Sequence, residues 1–158
     1  MVSNQPWVIC RMFGKTGIRG QGYGKENYAG PIVSRSEIYR CNGGRPTGDS
    51  DLLDTLRANL DHCVGMAANM IGVKKNIIVV AAGPFQFAMV NPVITKKTGA
   101  FQTEEGCLSL EGVRPCTRYK EIEVDFLDAD FKKQHGKYSG WTAQIIQHEI
   151  DHCNGVVI

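Results

Sequence analysis

Apolar side chains recur at helical spacing just after the first third of the chain. The stripe consists of Leu52, Leu53, Leu56 and Leu60. This spacing predicts an amphipathic helix over residues 51–60 that packs one face against a core. Asp49 or Ser50 can cap its first turn, because both side chains accept hydrogen bonds from the exposed backbone N–H groups there.

Shorter apolar runs follow and predict strands. Residues 76–81 and 87–90 are rich in aliphatic side chains and flank Gly83-Pro84, which predicts a β-hairpin. Residues 121–126, Glu-Ile-Glu-Val-Asp-Phe, alternate strictly between charged and apolar side chains. We therefore expect a strand there with one buried face and one exposed face.

A second helical pattern spans residues 141–153. Its apolar stripe is Ala143, Ile146, Ile150 and Cys153. Gly155 follows the pattern and is suited to end the helix. His148 and His152 lie on a face beside the stripe, so one side of the helix can reach the core while the next lines a pocket. Strands followed by a single core helix predict an α+β fold, with mostly antiparallel β-sheets around the C-terminal helix.

The basic residues are unevenly distributed. Residues 1–45 carry seven Lys/Arg against two acidic residues and hold eight of the eighteen glycines, whereas residues 46–158 carry eleven against fourteen. Residues 1–45 lack a sustained helical or alternating pattern. We predict one domain over residues 46–158, preceded by a basic, glycine-rich extension. This extension is either a disordered or non-native segment or a surface that contacts ribosomal RNA.

Composition narrows the class of protein. The chain is 42% hydrophobic and 22% charged, as in globular proteins, and no apolar run approaches the ~20 residues that span a bilayer. Neither a membrane nor a specific DNA partner is expected. The six cysteines include no C-x-x-C pair and no secretory leader precedes them, which predicts reduced thiols in a cytoplasmic protein and disfavours a zinc ribbon.

Candidate metal chemistry lies in the second helix. His148, Glu149 and His152 form an H-E-x-x-H motif. Residues four apart on a helix share a face, so the two imidazoles can bind one metal ion. The Glu149 carboxylate can take a proton from an attacking water and pass it to a leaving group.

Catalytic metal sites of this kind use three protein ligands. In the longer motif with a third histidine, the position of that histidine is occupied by Ile158. The third ligand is therefore expected upstream of the motif. The upstream candidates are His62, His135, five cysteines and the carboxylates. Cys107 has the most suggestive surroundings, since Gly106 permits close approach and the next backbone N–H, that of Leu108, can face a substrate oxygen.

Three ordered motifs resemble those of the peptide deformylase family. They are Glu-Gly-Cys-Leu-Ser at 105–109, Gln-His-Glu-Ile-Asp-His at 147–152 and Cys-Val-Gly-Met-Ala-Ala-Asn-Met at 63–70. The resemblance covers roughly residues 50 to 158. One H-E-x-x-H is a weak signal, but three motifs in order are a strong one.

The resemblance implies the metal centre and the reaction. Cys107, His148 and His152 would bind one divalent ion, with Fe²⁺ in the cell and Zn²⁺, Ni²⁺ or Co²⁺ as alternatives. Glu149 would be the general acid/base, and the reaction would be hydrolysis of the formyl group of N-formylmethionyl peptides. The resemblance also implies antiparallel sheets around a C-terminal metal-binding helix.

The resemblance further implies the substrate contacts. Val64 and Gly65 would pair through their backbone with an extended peptide, and the N–H of Leu108 would contact the oxyanion. Arg114 resembles a substrate-side arginine of the family.

One position departs from the family pattern. The motif's last residue, a glutamine that helps hold the oxyanion, is Met70 here, and a thioether cannot donate a hydrogen bond. Loss of one such donor costs roughly 2.7–4 kcal/mol, so slow activity is expected. Asn69 could supply the amide only if the backbone turned it inward. Two alternatives follow: a catalytically silent metal-binding or interaction protein, or a hydrolase of another small N-acyl amide.

Overall fold

The computed structural model describes residues 7–8, 49–61, 63–107 and 113–157. Leu108, His62 and most of the predicted extension lie outside these ranges. Two α-helices are present in them, α1 (Asp49–Ala58) and α2 (Gly140–Cys153). A 3₁₀ helix, Ala68–Ile71, follows the first strand of the domain. Within the described ranges no helix is long and apolar enough to cross a membrane.

The described strands form a single sheet. They are β1 (Trp7–Val8), β2 (Gly65–Ala67), β3 (Ile77–Ala82), β4 (Phe85–Gly106), β5 (Arg114–Leu127) and β6 (Lys133–Ser139). Strands β2 to β6 pair in chain order, each antiparallel to the next, and β1 pairs in parallel with the end of β4. The predicted α+β class with mostly antiparallel strands around a C-terminal helix is confirmed.

Strand β3 lies between the two helices, which explains its uninterrupted apolar sequence. Ile78 and Val80 belong to the core cluster that contains the apolar stripe of α2. Ile77 and Val79 belong to the other cluster, with Leu52 and Leu56 of α1. Because neighbouring side chains of a strand point to opposite faces, a strand covered on both sides must be apolar at every position.

The elements with the clearest patterns are confirmed, with small shifts in their bounds. Helix α1 starts two residues before the predicted segment and ends at Ala58, so Leu60 falls beyond it and is 39% exposed. The hairpin around Gly83-Pro84 joins β3 to β4. The alternating residues 121–126 lie inside the longer strand β5.

Two strand segments had no sequence signal. The pattern predicted β4 near residues 87–90, with Val93-Ile94 as a continuation beyond Pro92, but the strand runs to Gly106. At Asn91 the backbone has φ 52°, and the register with β5 shifts between Val90 and Val93, which interrupts the alternation. Strand β6 is polar and pairs with β5 alone within the described sheet, so backbone hydrogen bonds rather than burial define it.

Candidate metal centre

The sheet and the second helix bring the predicted ligands together. Cys107 directly follows β4, and His148 and His152 lie one turn apart on α2. Their ligand atoms all lie within 4.8 Å of one another, and the three residues are buried. The Sγ of Cys107 is 3.3 Å from Nε2 of His152. The residues therefore form a compact sulfur–nitrogen–nitrogen cluster.

Hydrogen bonds orient both imidazole rings. Nδ1 of His152 donates to the carbonyl oxygen of Val156 at 3.0 Å, and Nδ1 of His148 donates to the Glu105 carboxylate at 2.9 Å. In the neutral form of each ring, Nε2 therefore carries the lone pair that can bind a metal ion. Nε2 of His148 is buried and has no hydrogen-bond partner within the described residues. A buried nitrogen without a partner beside a thiol and a second imidazole fits a divalent transition-metal ion.

Glu105 is held by three side chains. Besides His148, it accepts a bidentate contact from Arg118, with a shortest distance of 2.7 Å, and a hydrogen bond from Gln144 at 2.8 Å. Burial alone would raise the pKa of Glu105, but the hydrogen bonds from His148 and Arg118 outweigh it and lower the pKa to about 2. Arg118 also contacts Asp151 at 2.6 Å. Glu105 is thus a fixed anion behind the His148 ring.

Glu149 is almost fully enclosed beside the cluster, with 2% of its surface exposed. Burial raises the pKa of its carboxyl, against the opposing effect of His152 and His148. A carboxyl whose pKa is raised in this way holds a proton more readily than a free one, which would suit a group that accepts a proton and then returns it.

Asn69 and Met70 end the 63–70 motif and lie in a 3₁₀ helix. Residues 68–71 form the 3₁₀ helix rather than an extended segment. Asn69 is buried, and its Nδ2 donates to the carbonyl oxygen of His152 at 2.8 Å. Met70 is partly buried and packs against the core cluster of α2. The Asn69 amide group therefore ties the 3₁₀ helix to α2, and Met70 is apolar packing.

The remaining predicted substrate residues lie on two strands. Gly65 begins β2, and the carbonyl oxygen of Val64 accepts a hydrogen bond from the Ala81 N–H at 2.8 Å. Arg114 begins β5 and pairs in register with Glu105. Its Nη1 is buried and makes no hydrogen bond to the described part of the chain. Leu108 lies outside the described residues.

Among the described residues, the other histidine and cysteine candidates do not join the cluster. His135 is on the exposed side of β6, where its Nδ1 contacts Asp125 at 2.6 Å. Burial raises the pKa of the Cys116 thiol to about 11, so this thiol is protonated at neutral pH. Neither it nor Cys153 is in a disulfide. Cys63 is disulfide-bonded, which corrects the expectation of reduced thiols at that position.

Comparison with known proteins agrees with this geometry. The family model described as polypeptide deformylase matches residues 49–158. The peptide deformylase of Clostridium beijerinckii is 58% identical over 108 residues, which cover 68% of this chain and 79% of that protein. The chain belongs to the peptide deformylase family. Deformylases of this family are metal-dependent hydrolases that bind one divalent ion and remove N-formyl groups from peptides.

Solved deformylases share the fold as well. The crystal structure of the Thermus thermophilus deformylase superposes with a TM-score of 0.70 at 29% identity, covering 82% of this chain and 79% of that one. A Met-Ala-Ser-bound deformylase from Acinetobacter baumannii superposes with a TM-score of 0.68 at 26% identity, covering 80% and 95%.

Several residues around the ligand cluster were missed by sequence reasoning. Glu105 stands in the quoted Glu-Gly-Cys-Leu-Ser motif, and its position two residues before Cys107 was the available signal. Arg118 and Gln144 lie on different elements and gave no sequence signal. Gln147 was also missed: its side-chain amide accepts from the Tyr119 N–H at 3.0 Å and donates to the Tyr119 carbonyl at 2.9 Å, which fixes α2 to β5.

Proposed function

We propose that Cys107, His148 and His152 bind the family's single divalent ion, and that Glu149 is the general acid/base of the deformylation reaction. The observation that carries this proposal is the buried cluster of three ligand atoms within 4.8 Å, with Glu149 on the same helix. A positioned, buried carboxylate favours an enzyme over a silent metal-binding protein, because a pure binding role has no use for a general base.

In this proposal the ion bound in the cell is Fe²⁺, and Zn²⁺, Ni²⁺ or Co²⁺ can replace it. One thiolate and two imidazoles suit all four ions, so availability decides among them. When bound, the ion would act as a Lewis acid toward the formyl carbonyl and would make water nucleophilic at neutral pH.

Glu149 carries out the proton transfers of the reaction. Glu149 accepts a proton from the water whose oxygen bonds to the formyl carbon. It then gives that proton to the amine nitrogen as the C–N bond breaks, so that formate and a peptide with a free amino terminus leave. Since Glu149 is enclosed by apolar and imidazole neighbours, bulk water does not compete for this proton.

Substrate would bind as an extended peptide beside β2. We assign backbone pairing to Val64 and Gly65, and oxyanion contact to the N–H of Leu108. Arg114 would contact the peptide, which is supported by its buried Nη1 without a partner in the described residues. The N-formylmethionyl peptide is the proposed substrate, and the related A. baumannii enzyme was crystallised with Met-Ala-Ser bound.

Met70 would make this deformylase slow. The side chain cannot donate a hydrogen bond, and the neighbouring Asn69 amide is already committed to the His152 carbonyl. The oxyanion would then depend on the ion and one backbone N–H. We expect the Met70→Gln variant to raise kcat by about a hundredfold, since one oxyanion donor is worth roughly 2.7–4 kcal/mol.

The test is formate release from a formyl-Met peptide by iron- or nickel-loaded protein. Wild type should turn over slowly, Met70→Gln faster, and Glu149→Ala not at all despite equal metal content. If neither wild type nor Met70→Gln exceeds Glu149→Ala, the deformylase proposal is wrong. Faster release from another small N-acyl amide would instead indicate a redirected hydrolase.

We also propose that the domain comprises residues 46–158, to whose sheet Trp7–Val8 adds the short strand β1, and that the basic residues 1–45 contact ribosomal RNA transiently. The support is the charge excess of that segment and a reaction that acts on newly made peptides. This role implies a cytoplasmic protein.

A further inference from the structure

Gly65 stands in a strand where its own backbone does not require glycine. The described glycines with left-handed backbone are Gly72, Gly83, Gly99, Gly140 and Gly155, and Gly65 is not among them. It lies in β2, paired with Val80 of β3. Glycine weakens a strand relative to alanine, and in strand interiors it often marks a close approach by another group. A reason for glycine must therefore come from its surroundings.

Those surroundings are two side chains of α2. A Cβ built on Gly65 would lie 2.6 Å from Cγ2 of Ile145, 2.7 Å from Oε1 of Glu149 and 3.0 Å from Cγ of Glu149. A Cβ does not approach other non-bonded heavy atoms closer than 3.0 Å, so one partner would have to move. The carboxylate of Glu149 thus rests directly on the backbone of β2.

Neither side chain can turn away into solvent. Ile145 and Glu149 are four residues apart and share the helix face toward β2. Ile145 is fully buried and Glu149 is 2% exposed. A methyl group on Gly65 would therefore displace the Glu149 carboxylate within the enclosed site rather than turn it into solvent.

We infer that Gly65 is a positioning residue for Glu149: the missing Cβ leaves the space that holds the carboxylate beside the ligand cluster. This role rests on the proposed function of Glu149 and differs from backbone pairing with a peptide. Displacement of a reacting group by about 1 Å can lower a rate about a hundredfold, so the absence of one methyl group has a large kinetic effect.

The test uses Gly65→Ala in an Ile145→Ala background, which removes the shortest collision and leaves Glu149 as the close neighbour. Relative to Ile145→Ala alone, we expect kcat for formyl-Met peptide to fall about a hundredfold, with KM and bound metal nearly unchanged. Gly136→Ala is the matched control. Gly136 is also a strand glycine without left-handed backbone, and its added Cβ would lie 2.5 Å from the Tyr138 hydroxyl, away from the ligand cluster. Its kcat should equal that of wild type.

A thermal-unfolding cycle tests the same contact without activity. In the Ile145→Ala background, Gly65→Ala should lower the unfolding midpoint when Glu149 is present and should lower it much less when Glu149 is Ala. Equal losses in both backgrounds would overturn the inference, as would an unchanged kcat in Gly65→Ala. If wild type shows no turnover, the proposed function fails while this cycle still decides whether Gly65 positions Glu149.

Discussion

At the scale of single residues, the candidate site depends on side chains that hydrogen-bond to its ligands and orient them. Glu105 is fully buried, and it is hydrogen-bonded by His148, Arg118 and Gln144. Its negative charge keeps the proton of His148 on Nδ1 and so directs Nε2 toward the cluster. An isolated carboxylate could not remain charged at such depth, and Arg118 supplies the balancing charge.

The first prediction concerns Arg118→Met. This change leaves Glu105 buried beside His148 without its cation. Loss of one partner of a buried pair destabilises a protein by about 3–5 kcal/mol. Urea unfolding of the metal-free protein should show this loss, and metal affinity should fall about ten- to a hundredfold, because Glu105 no longer fixes the ring.

Lys96→Met is the matched control, since Lys96 forms an exposed ion pair with Glu123 at 3.5 Å. An exposed pair contributes about 0–1 kcal/mol, so stability and metal affinity should hardly change. Equal effects of the two substitutions would contradict the role given to Arg118.

At the scale of elements, β3 is the structural centre of the domain because both of its faces are covered. Ile77 faces α1 and Ile78 faces α2, and both are fully buried. The same strand therefore holds both helices, and β4 extends from it to Cys107.

We predict that Ile77→Ala and Ile78→Ala each destabilise the protein by about 2–5 kcal/mol, although the two side chains point to opposite faces of β3. Val93→Ala in β4, at a side chain that is 44% exposed, should change stability by about 0.5 kcal/mol or less. The measurement is denaturant unfolding of the three variants. A small effect of either isoleucine would mean that one face of β3 is not covered.

The elements also show what sequence reasoning can reach. Helices α1 and α2 were predictable because burial of one face imposes a helical period, and the β3–β4 hairpin because two short apolar runs flank Gly83-Pro84. Residues 95–100 of β4 are exposed throughout, and β6 is polar and mostly exposed, so no periodic signal marks them. The ligand cluster followed from local motifs, but the contacts of Glu105 with Arg118 and Gln144 join three elements and exist only after folding.

At the scale of the whole molecule, charge separates the two parts of the chain. Residues 1–45 carry the basic excess, while residues 46–158 are slightly acidic. If the basic part contacts ribosomal RNA, binding should weaken steeply with salt, because each neutralised phosphate releases counterions. Pelleting with ribosomes at two salt concentrations should show salt-sensitive binding of the full chain and none after deletion of residues 1–45. Equal, salt-sensitive binding of both would contradict the proposed contact.

The claim on which the others depend is that Cys107, His148 and His152 bind one ion together. The most direct measurement is titration of the metal-free protein with Co²⁺, followed by the near-ultraviolet absorption of a cobalt–thiolate bond. We predict saturation at one equivalent, loss of the thiolate band in Cys107→Ser, and much weaker binding in His148→Ala. An unchanged thiolate band in Cys107→Ser would contradict the account, because another cysteine would then be the ligand.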